Sequence, residues 1–338
     1  MQVRELGEFA LIARLTRGEL PHAGVHLGVG DDTAILDIGS GYELLATCDV
    51  QVEGRHFIRG VGTPEQLGRR ALAINLSDIA AMGGEPLFAL ISLLLPPTLE
   101  VAFLDGVYTG LREEGRVFGV AIVGGNISGI RAELVIDITL LGRVRTGTAL
   151  RRDGARPGDV VLVTGSLGTA AAGLALIMQP DVPVPAEART AVSRAFHEPV
   201  PRIREGQVLA QTAMVTAAID ISDGLSGDVA HICERSNVGV IVQEAALPVA
   251  DATRTVAEHL GRSVADLALH GGEDYELLFT APPSAVPAVM RAVQQATGTP
   301  VTAIGTITTP DMGLQLERAD GTRVPLRPQS WDHLREST

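Results

Sequence analysis

Lysine is absent from this chain: all 27 of its Lys and Arg residues are arginine. A phosphate-binding P-loop needs the lysine of its GxxxxGK signature, a protein kinase needs a strand lysine, and Schiff-base chemistry needs an amine side chain. All three are excluded. Cysteine is nearly absent too. Cys48 and Cys233 stand alone and far apart, so there is no disulfide framework and no CxxC metal site. A reducing cytoplasm is the simple expectation. Aromatic residues make up 3% of the chain and the net charge is −13. A nucleic-acid partner needs basic stripes and stacking platforms, and neither is present. No apolar run approaches the ~20 residues of a bilayer span. The longest, residues 87–95, is strand-sized, and the opening "MQVRELGEFALIARL" reads as an amphipathic helix rather than a signal peptide.

What is present is ample core material. Hydrophobic residues form 46% of 338 positions, enough for two domains of ~150 residues each. "TAILDIG" and "YELLATCDV" read as strands bounded by glycine. Residues 64–82 read as a helix opened by Thr63 and Pro64 and stopped by Gly83 and Gly84. A buried strand over 87–95, a helix over 100–118, a strand "VAIVGG" ending in a glycine turn, and a long alternating strand "ELVIDITLLGRV" follow. The Arg- and Gly-rich stretch 145–159 is the best domain boundary. Beyond it, strands ("VVLVTG", "TAAID", "VGVIVQ", "DYELLFT", "VTAIGTI") again alternate with helices. The class is α/β of the α+β type, with domains over 1–146 and 147–338.

Acids recur where strands end or glycine turns begin. "GVGDDTAIL" places Asp31 and Asp32 side by side, Asp49 ends "LLATCD", and Asp78 interrupts an apolar helix. Asp220 and Asp223 lie in "AIDISDGLSGD", and Glu273 and Asp274 in "HGGEDYELLF". Singly, each has an ordinary reading: Asp223 suits a helix N-cap, and Asp78 could face solvent. Together they sit beside predicted buried strands, where charges must be paired or bound to metal. With no lysine and few arginines nearby in sequence, the natural counter-charge is Mg²⁺, which usually arrives with substrate phosphates. The glycine-rich segments "VGGNISG" and "VTGSLG" fit that picture as turns whose N–H groups approach phosphate. A dinucleotide fold fits poorly, because Gly165, Gly168 and Gly173 do not match GxGxxG and no acid ends a second strand at the required spacing.

"GVGDDTAIL", "CDVQVEGRHF", "ALAINLSDIAAMGG", "AIVGGNIS", "AIDISDGL" and "HGGEDYELLF" occur in this order. They resemble the thiamine-monophosphate kinase family of the aminoimidazole-ribonucleotide-synthetase-like superfamily, over about residues 5–333. "VEGRHF" combined with "GGEDYELLF" sets this family apart from its sisters. The resemblance implies a homodimer in which the N-terminal sheets of two subunits pair. It implies ATP-dependent phosphorylation of thiamine monophosphate to thiamine diphosphate with several Mg²⁺ ions. The implied metal residues are Asp32, Thr47, Cys48, Asp49, Asp78, Asn126, Asp220 and Asp223. Implied nucleotide contacts are Tyr108, Gly125, Asn126, Arg152 and Ser222. Implied thiamine-phosphate contacts are His56, Glu273 and Trp331, the chain's single tryptophan. Asn126 stands where the family usually has Asp, and Cys48 where it often has Thr.

No catalytic base is expected. The acceptor is itself a phosphate with a second pKa near ~6, already ionised at neutral pH. The difficulty is bringing two polyanions together, which metal ions and in-line positioning solve. Two alternatives stay open on the sequence: a ring-closing ATP-dependent ligase of the same superfamily, and an inactive nucleotide-binding paralogue.

Overall fold

The computed structural model describes residues 24–27 and 31–329. The N-terminal amphipathic segment, the Gly28–Gly30 turn before Asp31, and Trp331 lie outside the described residues. The first half builds a six-stranded sheet from β1 (Val25–Leu27), β2 (Ala34–Asp37), β3 (Tyr42–Val52), β4 (Glu85–Leu95), β5 (Ala121–Gly129) and β6 (Val135–Arg145). Its order is β1-β2-β3-β6-β4-β5, antiparallel except for the parallel β4–β5 pair. Two helices, α1 (Pro64–Ala81) and α2 (Val101–Phe118), cross between its strands.

α1 starts where the sequence says it should. Thr63 accepts the Gln66 N–H, Gln66 reaches back to the Thr63 N–H, and Pro64 occupies the first turn. α1 and α2 approach very closely at Gly68 and Gly110. A Cβ at Gly68 would lie 1.9 Å from the Val107 carbonyl oxygen, and one at Gly110 1.9 Å from that of Glu65. Only glycine permits that contact.

The helices cover one face of the first sheet. The residues pointing to it, such as Leu45, Ile91, Leu93, Ile136, Ile138 and Leu140, are buried. The other face is open, with Val50, Phe88 and Leu90 each about two-fifths exposed (41%, 45% and 40%). The 87–95 strand is therefore half-buried, not buried. β5 corrects a second expectation: the chain runs straight through Gly124, Gly125 and Asn126 as an edge strand, with no turn. Gly125 has φ 152°, a backbone that residues with a side chain rarely adopt, and a Cβ there would sit 1.8 Å from the Ile91 carbonyl oxygen. Its role is close strand packing.

The second half holds a seven-stranded sheet in the order β13-β12-β9-β11-β7-β10-β8. Its strands are β7 (Val160–Thr164), β8 (Ala217–Asp220), β9 (Gly239–Gln243), β10 (Leu277–Ala281), β11 (Val301–Thr308), β12 (Leu314–Glu317) and β13 (Arg323–Pro325). All neighbours are antiparallel except β9 and β12. Helices are α3 (Thr169–Met178), α4 (Ala186–His197), α5 (Ile203–Thr212), α6 (Leu225–Ser236), α7 (Asp251–Leu260), α8 (Val264–His270) and α9 (Val286–Thr297). β7, β8 and β10 are buried on both faces, which is why they read as continuous apolar runs. One layer of buried side chains is shared by the halves: Leu76 and Leu111 below the first sheet, Leu162, Ala218 and Phe279 on the second, and Val208 and Leu209 of α5 belong to a single cluster. No helix among the described residues is long and apolar enough to cross a membrane.

Candidate metal and nucleotide site

The site grows from α1. This helix is buried almost throughout, yet carries Asn75, Ser77 and Asp78 in succession along "INLSDI". Asn75 and Asp78 reach β3, and Ser77 reaches β8. Asn75 Oδ1 accepts the Asp49 N–H at 3.1 Å on β3. Ser77 donates to Asp220 Oδ2 at 2.6 Å, at the end of β8 in the other half. Asp78 Oδ2 accepts the Thr47 hydroxyl. The loop entering β2 adds Asp32, so carboxylate oxygens of Asp32, Asp78 and Asp220 lie within 4.8 Å of one another.

Burial and mutual repulsion set the electrostatics. Asp78 is pushed well above the ordinary carboxylate range, first by burial and then by the charges of Asp49, Asp220 and Asp32. Asp220 moves the same way, by burial and Asp32. Asp31 is raised to about 7 by burial and by Asp32, against the opposing pull of Arg152.

Arg152, in the stretch joining the halves, supplies a cation to these acids. Its Nη2 and Nε donate to the two oxygens of Asp32 at 2.6 and 3.2 Å, and its backbone N–H donates to Asp31 at 3.1 Å. Few arginines lie near these acids in sequence, and Arg152 reaches them from far along the chain. The partner is 120 residues distant in sequence and invisible to local reading.

The loop after β8 continues the site. Ser222 and Asp223 precede α6, whose N-cap residue is Gly224 rather than Asp223. The Ser222 carbonyl accepts the Glu273 N–H at 2.7 Å, which ties "GGEDYE" to "ISDG". Glu273 and Tyr275 adopt left-handed backbone at φ 71° and 50°. Strand β10 therefore starts only at Leu277, three residues later than the reading of "DYELLFT" as a strand. Glu273 accepts a charge-assisted hydrogen bond from Arg70 of α1. Arg70 is buried and also lies over the Phe196 ring, 4.3 Å from its centroid. His56, in the turn after β3, accepts the Val52 N–H on Nδ1 at 3.0 Å. That bond makes Nε2 the protonated nitrogen of the neutral ring.

Three of the sequence-derived positions fall elsewhere. Strand alternation puts Thr47 and Asp49 on the helix-covered face and Cys48 on the open one, where its thiol meets Asp137 at 3.2 Å and Thr139 at 3.6 Å. Asn126 pairs with Ser92, which pairs with Asp137, so it shares the open face with Cys48. Neither joins Asp49 and Asp78 within one chain. Tyr108 lies on α2 beneath Arg112, 5.3 Å from ring centroid to guanidinium carbon. The glycine turn at residues 165–168 is corrected as well. The Gly168 N–H is taken by Asp274 Oδ2 at 2.6 Å and the Ala170 N–H by Oδ1 at 3.4 Å. A carboxylate of the chain itself occupies the place offered to phosphate.

Sequence reading missed Arg70, Asn75, Ser77 and Asp228. For Asn75 and Ser77 the signal existed: three polar residues inside one apolar helix. For Arg70 there was none, since "GRRAL" looks like any exposed helix start.

The comparisons identify the family of the chain. Residues 30–144 match the family described as AIR synthase related protein, N-terminal domain, and residues 156–316 its C-terminal domain. The thiamine-monophosphate kinase of Salmonella typhimurium is 39% identical over 334 residues, covering 97% of this chain and 98% of that protein. That of Bacillus subtilis is 32% identical, covering 98% and 100%. A solved structure described as AaThiL complexed with AMPPCP and TMP superposes with a TM-score of 0.84 at 34% identity, covering 98% of this chain and 99% of that one. Hydrogenase maturation protein HypE in complex with ATP shares the fold alone, at 21% identity, 91% coverage of each chain and a TM-score of 0.71. The chain belongs to the thiamine-monophosphate kinase family of the AIR synthase related proteins.

Proposed function

We propose that this chain transfers the terminal phosphoryl group of ATP to thiamine monophosphate, giving thiamine diphosphate and ADP. The observation that carries the reading is the meeting of Asp32, Asp78 and Asp220 within 4.8 Å, at the junction of the two halves. The relatives named above are thiamine-monophosphate kinases, and one of their structures holds AMPPCP and TMP together. The donor set fits Mg²⁺: it is all oxygen, largely buried and crowded with negative charge. Asp32, Asp49, Asp78, Asp220 and Asp223, with the Thr47 hydroxyl, would hold several ions. When bound, they supply charge neutralisation between the two polyanionic substrates.

The chain's own residues do the rest. Arg152 brings a guanidinium that pairs with Asp32 here and suits nucleotide phosphate when ATP is bound. Ser222, on the same loop as Asp223, offers a hydroxyl to the nucleotide. His56 presents its Nε2–H as a donor to thiamine phosphate. Glu273 presents a carboxylate to the cationic thiamine ring, and Trp331 a flat face for stacking on it. No residue need remove a proton, because the attacking phosphate is already ionised.

Residues 1–146 are read as the nucleotide- and metal-binding and dimerisation domain, and 147–338 as the domain completing the site. The open apolar face of the first sheet suits pairing with a second copy. Gly125, Asn126 and Cys48 would then lie at the subunit junction. Tyr108 would contact the nucleotide, and the compartment would be the cytoplasm. The test is formation of labelled thiamine diphosphate from γ-labelled ATP and thiamine monophosphate, with and without Mg²⁺. Product that requires all three components supports the reading. ADP release with no thiamine diphosphate overturns it.

A further inference from the structure

Asp228 sits in the first turn of α6, 2% exposed, and its Oδ2 has no hydrogen-bond partner. A buried carboxylate oxygen left unpaired is costly, and such groups call for an explanation. An acid near a helix start ordinarily serves that helix's free N–H groups. Here the Gly227 and Asp228 N–H groups both go to the Gly224 carbonyl, so Oδ2 does not serve them.

The charges that act on Asp228 are Asp223, Asp220 and Asp32, all negative, and Arg152, whose guanidinium is already engaged by Asp32. Asp228 stands in the first turn of the helix that opens directly from the loop bearing Asp220 and Asp223, on the second-half side of the site. His231, one turn further along α6, feels the same Arg152 and Asp32 charges. A neutral Asn or Ser would satisfy this position in a purely structural role. A carboxylate there adds repulsion that is relieved by a proton when metal is absent and by a divalent cation when one binds.

We propose that Asp228 is an additional oxygen ligand for a divalent cation on the Asp220 and Asp223 side of the site, acting through Oδ2. The inference rests on the metal-dependent kinase reading above.

The experiment titrates Mn²⁺ into the full chain in the presence of a non-hydrolysable ATP analogue, following free Mn²⁺ by electron paramagnetic resonance. Wild type is compared with Asp228→Asn, and metal-free melting temperatures are recorded for both. The expected result is Mn²⁺ binding weakened about tenfold or more, or fewer ions bound per chain, with a metal-free melting temperature no lower than wild type. Asp228→Ser repeats the measurement if the Asn variant does not fold. Titrations of the variant that superimpose on wild type overturn the proposal. So does failure of both variants to fold, which would make the carboxylate a purely structural group. Failure of the kinase reading is seen separately, as wild type that makes no thiamine diphosphate while its Mn²⁺ isotherm remains measurable.

Discussion

Arg70 of the first half donates to Glu273 of the second, and the guanidinium is held from behind by the Phe196 ring. The contact fixes a loop whose backbone is already in unfavourable left-handed geometry at Glu273. Replacing Arg70 with Ala leaves the Glu273 carboxylate without its cation and opens space beside Phe196. Losing one partner of a buried pair costs about 3–5 kcal/mol; Glu273 is partly exposed, so the lower end is expected. Urea unfolding should show that loss, and KM for thiamine monophosphate should rise more than KM for ATP. An unchanged KM for thiamine monophosphate would remove Glu273 from the substrate site.

Asp78 is the most crowded acid of the cluster, with Asp49, Asp220 and Asp32 all acting on it. Asp78→Asn removes a charge that opposes folding and should be essential for holding metal. The variant should lose activity by about 100-fold or more, as removal of a metal-held charge clamp implies. Its metal-free melting temperature should rise by about 2–4 °C for each kcal/mol of relieved repulsion. Adding Mg²⁺ should stabilise wild type more than the variant. Differential scanning calorimetry with and without a chelator reads both effects. A variant that melts below wild type without metal would show Asp78 to be a structural acceptor for Thr47.

Asp274 gives a pH signature. Burial is the largest influence on it and raises its carboxyl to about 8, while the N–H groups of Gly168 and Ala170 pull the other way. A carboxyl whose folded value lies above its unfolded value of 3.8 binds protons better in the folded state. The stability it contributes is complete below about pH 4 and is lost as pH rises through about 8. Asp274→Asn keeps an oxygen for the Gly168 N–H and cannot ionise. The difference in unfolding free energy, variant minus wild type, should therefore grow from pH 5 to pH 9 by on the order of a few kcal/mol. Denaturation midpoints across that range provide the check; a difference independent of pH would refute the assignment.

The parts of the molecule legible in the sequence are those governed by local rules. Thr63, Pro64 and Gln66 announce the start of α1, and the alternation of β6 announces its two faces. The acids of the site were legible as a set because each interrupts an apolar run. What could not be read were partnerships across the fold. Arg152 meets Asp32 over 120 residues and Arg70 meets Glu273 over 203, and nothing local encodes either. The glycine segments misled for a related reason: glycine permits a phosphate-binding turn, but it equally permits an edge strand pressed on Ile91 or a turn capped by Asp274. Strand alternation, applied strictly, would have separated Cys48 from Thr47 and Asp49.

The two cysteines report on the open sheet face. Cys233 is buried and its thiol is pushed up to about 12, so it should be inert to thiol reagents in the folded protein. Cys48 lies on the open face, in line through Thr139 with Leu90 of β4, next to Phe88. If that face pairs with a second copy, Cys48 is covered. At pH 8, a chromogenic disulfide reagent should then find neither thiol quickly in wild type. It should find Cys48 alone in a Phe88→Asp variant, where a charge on the apolar face blocks pairing, and both thiols after unfolding. Sedimentation velocity on the same samples should give a dimer for wild type and a monomer for the variant. A wild-type Cys48 that reacts as fast as the variant's, in a protein sedimenting as a monomer, would show that this face stays open and that Asn126 contributes to no neighbouring site.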